Sequence, residues 1–153
     1  MYPISSVDRG PYNLVGLYCY AAKLILDGKQ AKKSYVENLK IDGNIAKYLP
    51  ADMEYMVSPE EPRYISGSWA DIEKLKAVKV TSKEVIFSSK DAYHSVSKIA
   101  AGDFNGDGVQ DILLLITHSV KQGTHFEKYL YVLTRFDSNN ILKTIKKYNA
   151  LED

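Results

Sequence analysis

Nine residues in the second half of the chain, Asp103-Phe104-Asn105-Gly106-Asp107-Gly108-Val109-Gln110-Asp111, carry the most specific chemistry in the sequence. A calcium ion takes about six to eight oxygen ligands in a flexible shell. Side-chain oxygens at loop positions one, three, five and nine, with a backbone carbonyl at position seven, supply such a ring. Asp103, Asn105, Asp107 and Asp111 stand at the side-chain positions, and Val109 offers the carbonyl. Gly108 falls at position six, where the chain must turn sharply and a Cβ would clash. Three carboxylates within one short loop repel one another unless a cation lies between them. Magnesium fits less well, because it demands a tighter octahedron and keeps its waters. The competing reading is a plain acidic turn built on Asn-Gly and Asp-Gly, but a turn does not require oxygen side chains at these spacings.

The loop departs from the EF-hand pattern: position twelve is Leu114 instead of a glutamate, and strand-like sequence flanks it. Bidentate ligation would then fall to Asp111. With Ile99-Ala100-Ala101-Gly102-Asp103-Phe104 before the loop and Ile112-Leu113-Leu114-Leu115 after it, the segment resembles the FG-GAP or VCBS-type calcium loop. That resemblance implies a loop joining two adjacent strands, with Asp103, Asn105, Asp107, Val109 and Asp111 as ligands. It covers about 20 residues, and a propeller needs several such repeats, typically four or more blades. One copy in 153 residues excludes a propeller, so the family's adhesive role does not carry over. A site lacking the position-twelve glutamate fits weak extracellular calcium binding, and so a periplasmic or extracellular home.

Other chemistry is poorly represented. His94, His118 and His125 are the only histidines; His118 and His125 flank an expected hairpin tip without zinc-type spacing and read as surface side chains. Ser5, Ser6, Ser88 and Ser89 lack a nucleophile-elbow context, and no phosphate loop or dinucleotide fingerprint occurs. Glu60 and Glu61, adjacent in a Pro-flanked loop, read as solvent-facing. Cys19, the single cysteine, permits no internal disulfide, and its apolar surroundings suggest a buried thiol.

The elements that must hold the loop follow from patterning. Hydrophobic residues make up 45 % of the chain, which suits one globular domain over residues 1–153. Leu14 to Leu26 is open to two readings. Asn13 caps a helix closing at Gly28, or Asp27-Gly28 turns a hairpin between strands near Tyr18–Leu26 and Ala31–Leu39; tyrosine content and the turn dipeptide favour the hairpin. A short helical stretch over Ile45–Tyr55 is broken by Pro50, and 58–62 is a surface loop. Ser68-Trp69-Ala70-Asp71 has capping-box spacing, opening a short amphipathic helix through Ile72, Leu75 and Val78, with Trp69 in the core. Strands follow: Val80 with Val85–Phe87, Ser95–Ala101, Ile112–Ile116, Tyr129–Leu133 with Phe136, and Ile141–Tyr148 as strand or short helix. The class expected is α+β, mainly antiparallel, with one or two short helices.

Net charge of +1 gives no general attraction to nucleic acid or anionic membrane, and the lysines at 29, 32, 33, 143, 146 and 147 read as solvated faces. The longest apolar run is about half of a membrane span. The amino terminus has neither the basic start nor the apolar stretch of a signal peptide, so an exported protein would have lost its signal. Twelve tyrosines exceed packing needs. Tyr2, Tyr12, Tyr18, Tyr20, Tyr55, Tyr64, Tyr93 and Tyr129 are divided between partner-facing and sheet-edge roles. Lys47-Tyr48-Leu49-Pro50-Ala51-Asp52-Met53-Glu54-Tyr55-Met56-Val57, with the later acidic loop, also resembles small exported bacterial proteins, some of which act as inhibitors or immunity partners of secreted toxic enzymes. The expectation is therefore a non-enzymatic, calcium-binding protein-interaction domain. The alternatives are a calcium-stabilised hydrolase of cell-wall or surface polymers, or a structural module of an adhesin.

Overall fold

The computed structural model describes residues 6–53 and 67–149, the first eight of them by backbone alone. Six strands form one open antiparallel sheet in sequence order: β1 (Lys76–Val80), β2 (Glu84–Ser88), β3 (Ala92–Gly102), β4 (Asp111–Val120), β5 (Phe126–Thr134) and β6 (Lys143–Asn149). The α+β class holds, and the sheet does not close, so it is no propeller. Helix α1 (Ser6–Asp27) covers one face, and the α2 turn (Trp69–Ile72) lies on the other.

β4 positions everything else. Asp111 to Leu114 are buried without a break, because successive side chains enter different cores. Ile112, Leu114 and Ile116 pack with Val36, Ile45, Leu49, Met53 and Trp69. Leu113 packs with Leu130, Val132 and, from α1, Leu17 and Ala21.

Residues 14–26 are helical, contrary to the favoured hairpin. Leu17, Ala21 and Leu24 recur at helical spacing and face the sheet, so burial of that stripe outweighs the strand preference of the tyrosines. Asp27-Gly28 ends the helix instead of turning a hairpin, with the Gly28 amide donating to the Leu24 carbonyl at 2.9 Å. A Cβ at Gly28 would lie 3.0 Å from that carbonyl and from the Phe104 ring. Glycine is there for close approach. Cys19, on the outer side of α1, is exposed, correcting the expected buried thiol.

Pro50 separates two short 3-10 turns, Ile45–Lys47 and Ala51–Met53, so the helical stretch is broken at Pro50 as expected. The capping box forms: the Ser68 amide and hydroxyl both donate to Asp71 Oδ2, at 2.9 and 2.8 Å. Trp69 is fully buried as expected. The helix stops at Ile72, however, and Val78 belongs to β1, which a turn separates from Val85–Phe87 in β2. Phe136 lies beyond β5 and is exposed. The segment after Ile141 is a strand. The loop at 58–62, Glu60 and Glu61, Ser5, and the stretch Glu54–Val57 lie outside the described residues.

Candidate metal centre

The acidic loop is the connection between β3 and β4. Gly102 pairs with Asp111, and the residues between them form the turn, so strands flank the loop as the sequence implies. Asp103 is 4 % exposed and organises it. Its Oδ1 accepts the Gly106 amide and its Oδ2 the Gly108 amide, both at 2.8 Å. Both glycines have positive φ, +80° and +83°, a region side-chain-bearing residues rarely enter. The amide of Asp107 donates to Asn105 Oδ1 at 3.2 Å, and that of Val109 to Asp107 Oδ1 at 2.9 Å. Among the described residues nothing donates to the Val109 carbonyl.

Asp111 closes the ring differently. It is completely buried, its Oδ2 accepts the Phe104 amide at 2.9 Å, and its Oδ1 is sealed from solvent with no hydrogen bond of normal length. The nearby Thr134 hydroxyl, itself buried and otherwise unpaired, is the donor that acts on this carboxyl. Burial, with the charges of Asp107 and Asp103, pushes its carboxyl above the ordinary carboxylate value, against the opposing hydrogen bonds of the Phe104 amide and the Thr134 hydroxyl. Burial acts in the same direction on Asp103, but the amides of Gly108 and Gly106 outweigh it and hold that carboxyl low. A carboxylate oxygen buried with so weak a donor is costly unless a proton or a cation neutralises it. The donor set therefore fits a hard divalent ion: two buried aspartates, two exposed oxygen side chains and an uncommitted carbonyl. Among the described residues no three carboxylate, imidazole or thiol side chains converge on one point; the loop's carboxylates accept its own amides instead.

The loop is held from outside by the segment after α1. Lys29 and Asp103 exchange two backbone hydrogen bonds, each 2.9 Å. The amides of Lys32 and Lys33 donate to the Gly108 carbonyl at 2.7 and 3.1 Å, and Gln110 donates to the Lys33 carbonyl at 2.8 Å. Lys29, Lys32 and Lys33 are solvent-exposed, as expected, yet their backbone braces the loop. Phe104 packs into the α1 side of the core.

A buried cluster escaped the sequence reading. His94 and His118 are 0 % and 2 % exposed, not surface residues. They are paired across β3 and β4 with Nδ1 atoms 2.7 Å apart. His94 Nε2 lies 3.1 Å from Glu73 Oε1 and 2.9 Å from Ser89 Oγ. Glu73 also accepts the Trp69 indole N–H at 2.7 Å, and the two donors hold its carboxyl low although burial raises it. The Ser89 hydroxyl donates to the Ala92 carbonyl, so His94 Nε2–H is shared between Ser89 and Glu73. In the neutral pair His118 then donates to His94. Burial, then the neighbouring His94, pushes the His118 imidazole down to about 3. A Ser-His-acid triad needs serine and carboxylate on opposite ring nitrogens; here both meet the same one, inside the core. The signal lay in the alternation: His94 shares a face with Val96, and His118 with Ile116 and Leu114.

His125 is exposed and 3.3 Å from Glu127. Of the tyrosines, Tyr18, Tyr20 and Tyr93 are exposed, Tyr20 stacking on Tyr148 at 4.7 Å, while Tyr129 is half-buried under Lys147. Tyr2, Tyr55 and Tyr64 lie outside the described residues, as does the side chain of Tyr12. Among the described residues no helix is long and apolar enough to cross a membrane. No protein-family model, curated protein or solved structure matches the chain.

Proposed function

We propose that this chain is a non-enzymatic protein-interaction domain whose 103–111 loop takes up one structural calcium ion. The ligands are Asp103, Asn105, Asp107, the Val109 carbonyl and Asp111. The observation that carries this reading is the buried Asp111 carboxyl, whose Oδ1 has only the Thr134 hydroxyl near it and no full hydrogen bond, at the root of an oxygen-rich, glycine-kinked loop. The ion neutralises that oxygen and fixes the β3–β4 junction, together with the backbone of Lys29–Lys33 docked on it. In this reading the domain works where calcium is plentiful, in the periplasm or outside the cell, and a secreted toxic enzyme that it neutralises is the partner proposed.

Calorimetric titration of the calcium-stripped chain tests the ion, with one site per chain expected and none in Asp107→Ala. Capture of a single enzyme by the immobilised chain, with loss of that enzyme's activity in the complex, tests the inhibitor role. Turnover of a cell-wall polymer by the pure chain contradicts it.

A further inference from the structure

The end of β5 carries a buried cation that makes no direct ion pair among the described residues, Asp137 acting on it only from beyond contact distance. Arg135 follows Thr134 and is 5 % exposed. Its Nε donates to the Tyr35 carbonyl at 2.7 Å and its Nη1 to the Asn140 carbonyl at 3.3 Å. The guanidinium carbon lies 5.4 Å from the centre of the Tyr48 ring. Among the described residues no carboxylate is within ion-pair distance of it, and Nη2 has no hydrogen-bond partner. An arginine has five N–H donors, so three are uncommitted. Burial lowers its pKa, although Tyr48 and Asp137 act in the opposite direction.

This side chain lines a solvent-open cleft of about 240 Å³, with Ser34, Asn38, Lys40, Asn44 and Tyr48 among its walls. A buried cation facing an open cleft with donors left over is an anion-recognition arrangement, since the fixed planar fork of arginine matches two oxygens at once. Glu37 and Asp42 also line the cleft. Their charges offset those of Arg135 and Lys40, so a singly charged, planar anion suits the site better than a phosphate dianion.

We propose that this cleft binds a carboxylate, with Arg135 gripping both oxygens and the Asn38, Asn44 and Ser34 side chains surrounding the group. The carboxylate comes from an acidic side chain of a peptide or from a free small acid; both present the same chemistry. The assignment is independent of the calcium reading, because none of these side chains belongs to the acidic loop.

Amide resonances of the full-length protein are followed while sodium acetate, a capped Gly-Gly-Glu-Gly peptide, its Gln counterpart and inorganic phosphate are added separately at constant ionic strength. Saturable shifts confined to residues 34–48 and 135–140 with acetate or the Glu peptide, and absent with the Gln peptide, are expected. Tighter binding of the Glu peptide than of acetate assigns the carboxylate to a peptide, and equal binding assigns it to a small acid. Arg135→Gln should weaken binding roughly tenfold or more, the loss of a hydrogen bond to a charged group, and Arg135→Lys should recover only part of it. If Arg135→Gln does not fold, the Glu-against-Gln comparison on the unaltered chain decides. Shifts that never saturate, equal binding of the Gln peptide, or tighter binding of phosphate overturn the proposal.

Discussion

Gln110 donates its backbone N–H to the carbonyl of Lys33 at 2.8 Å, joining the last turn of the acidic loop to the chain that goes on to wall the Arg135 cleft. Ser34 and Tyr35 come next in sequence, and the Tyr35 carbonyl holds Arg135. The loop and one side of the cleft are therefore carried by one continuous stretch of backbone.

Hydrogen exchange should register that linkage. With calcium added, the amides of Lys32, Lys33 and Gln110 are expected to exchange more slowly, because each bonds across the loop–segment contact. The Tyr131 and Val132 amides, in the middle of β5, should change only as global stability changes. Uniform slowing of all amides contradicts a local brace.

Stability should fall on acidification below about pH 6.5. The His118 pKa is about 3 in the fold and near 6.5 when unfolded, so between those values the unfolded chain holds a proton that the folded chain refuses. Its contribution is fully present above the unfolded value and is lost as pH falls toward 3. The slope approaches about 1.4 kcal/mol per pH unit for one proton. The lowered Glu73 and Asp103 carboxyls act in the same sense at lower pH, and the raised Asp111 carboxyl opposes them. Urea midpoints read by the single, buried Trp69 measure this, and His118→Asn should flatten the curve between pH 6.5 and pH 4. An unchanged slope in that variant removes His118 as the cause.

Gly28→Ala should destabilise the chain by about 1–3 kcal/mol, the usual cost of forcing extra volume into a packed site. Its Cβ would press on the Phe104 ring and the Leu24 carbonyl at 3.0 Å. Since Phe104 belongs to the acidic loop, calcium affinity should fall with stability. Adding Phe104→Leu to that variant should recover part of both. Thermal unfolding with and without calcium checks the pair.

Asp111→Asn separates the ion from the fold. Removing a buried, half-satisfied negative charge should leave the calcium-free protein as stable as before or more so, while the calcium response disappears. A variant that is less stable without calcium and still responds to it would show Asp111 to be only a structural acceptor for Phe104 and Thr134.

Much of this fold is written in local pattern. The strands around Val85, Val96, Ile112 and Leu130 announce themselves by apolar runs, and the Ser68–Asp71 cap by its spacing. Where the reading failed, distant partners decided. Residues 14–26 carry strand-loving tyrosines, but a sheet face elsewhere in the chain needs Leu17 and Ala21 on one helical stripe. Gly28 has the look of a hairpin glycine and serves instead as a seat for Phe104, 76 residues on. The acidic loop was legible because its oxygens all fall within one nine-residue stretch of sequence. The His94–His118 pair and the Arg135 cleft were not, since each is assembled by strand register or by loops a hundred residues apart, as Tyr35 and Arg135 are.

The most direct test of the central claim is the melting temperature of the calcium-stripped chain as calcium is titrated, beside magnesium and beside Asp107→Ala. Binding to the folded state alone should add roughly 2.7 kcal/mol at a hundredfold excess over the dissociation constant, with little effect of magnesium and none in the variant. A melting temperature that stays flat through millimolar calcium, or that rises equally with magnesium or in Asp107→Ala, contradicts a calcium ion in this loop.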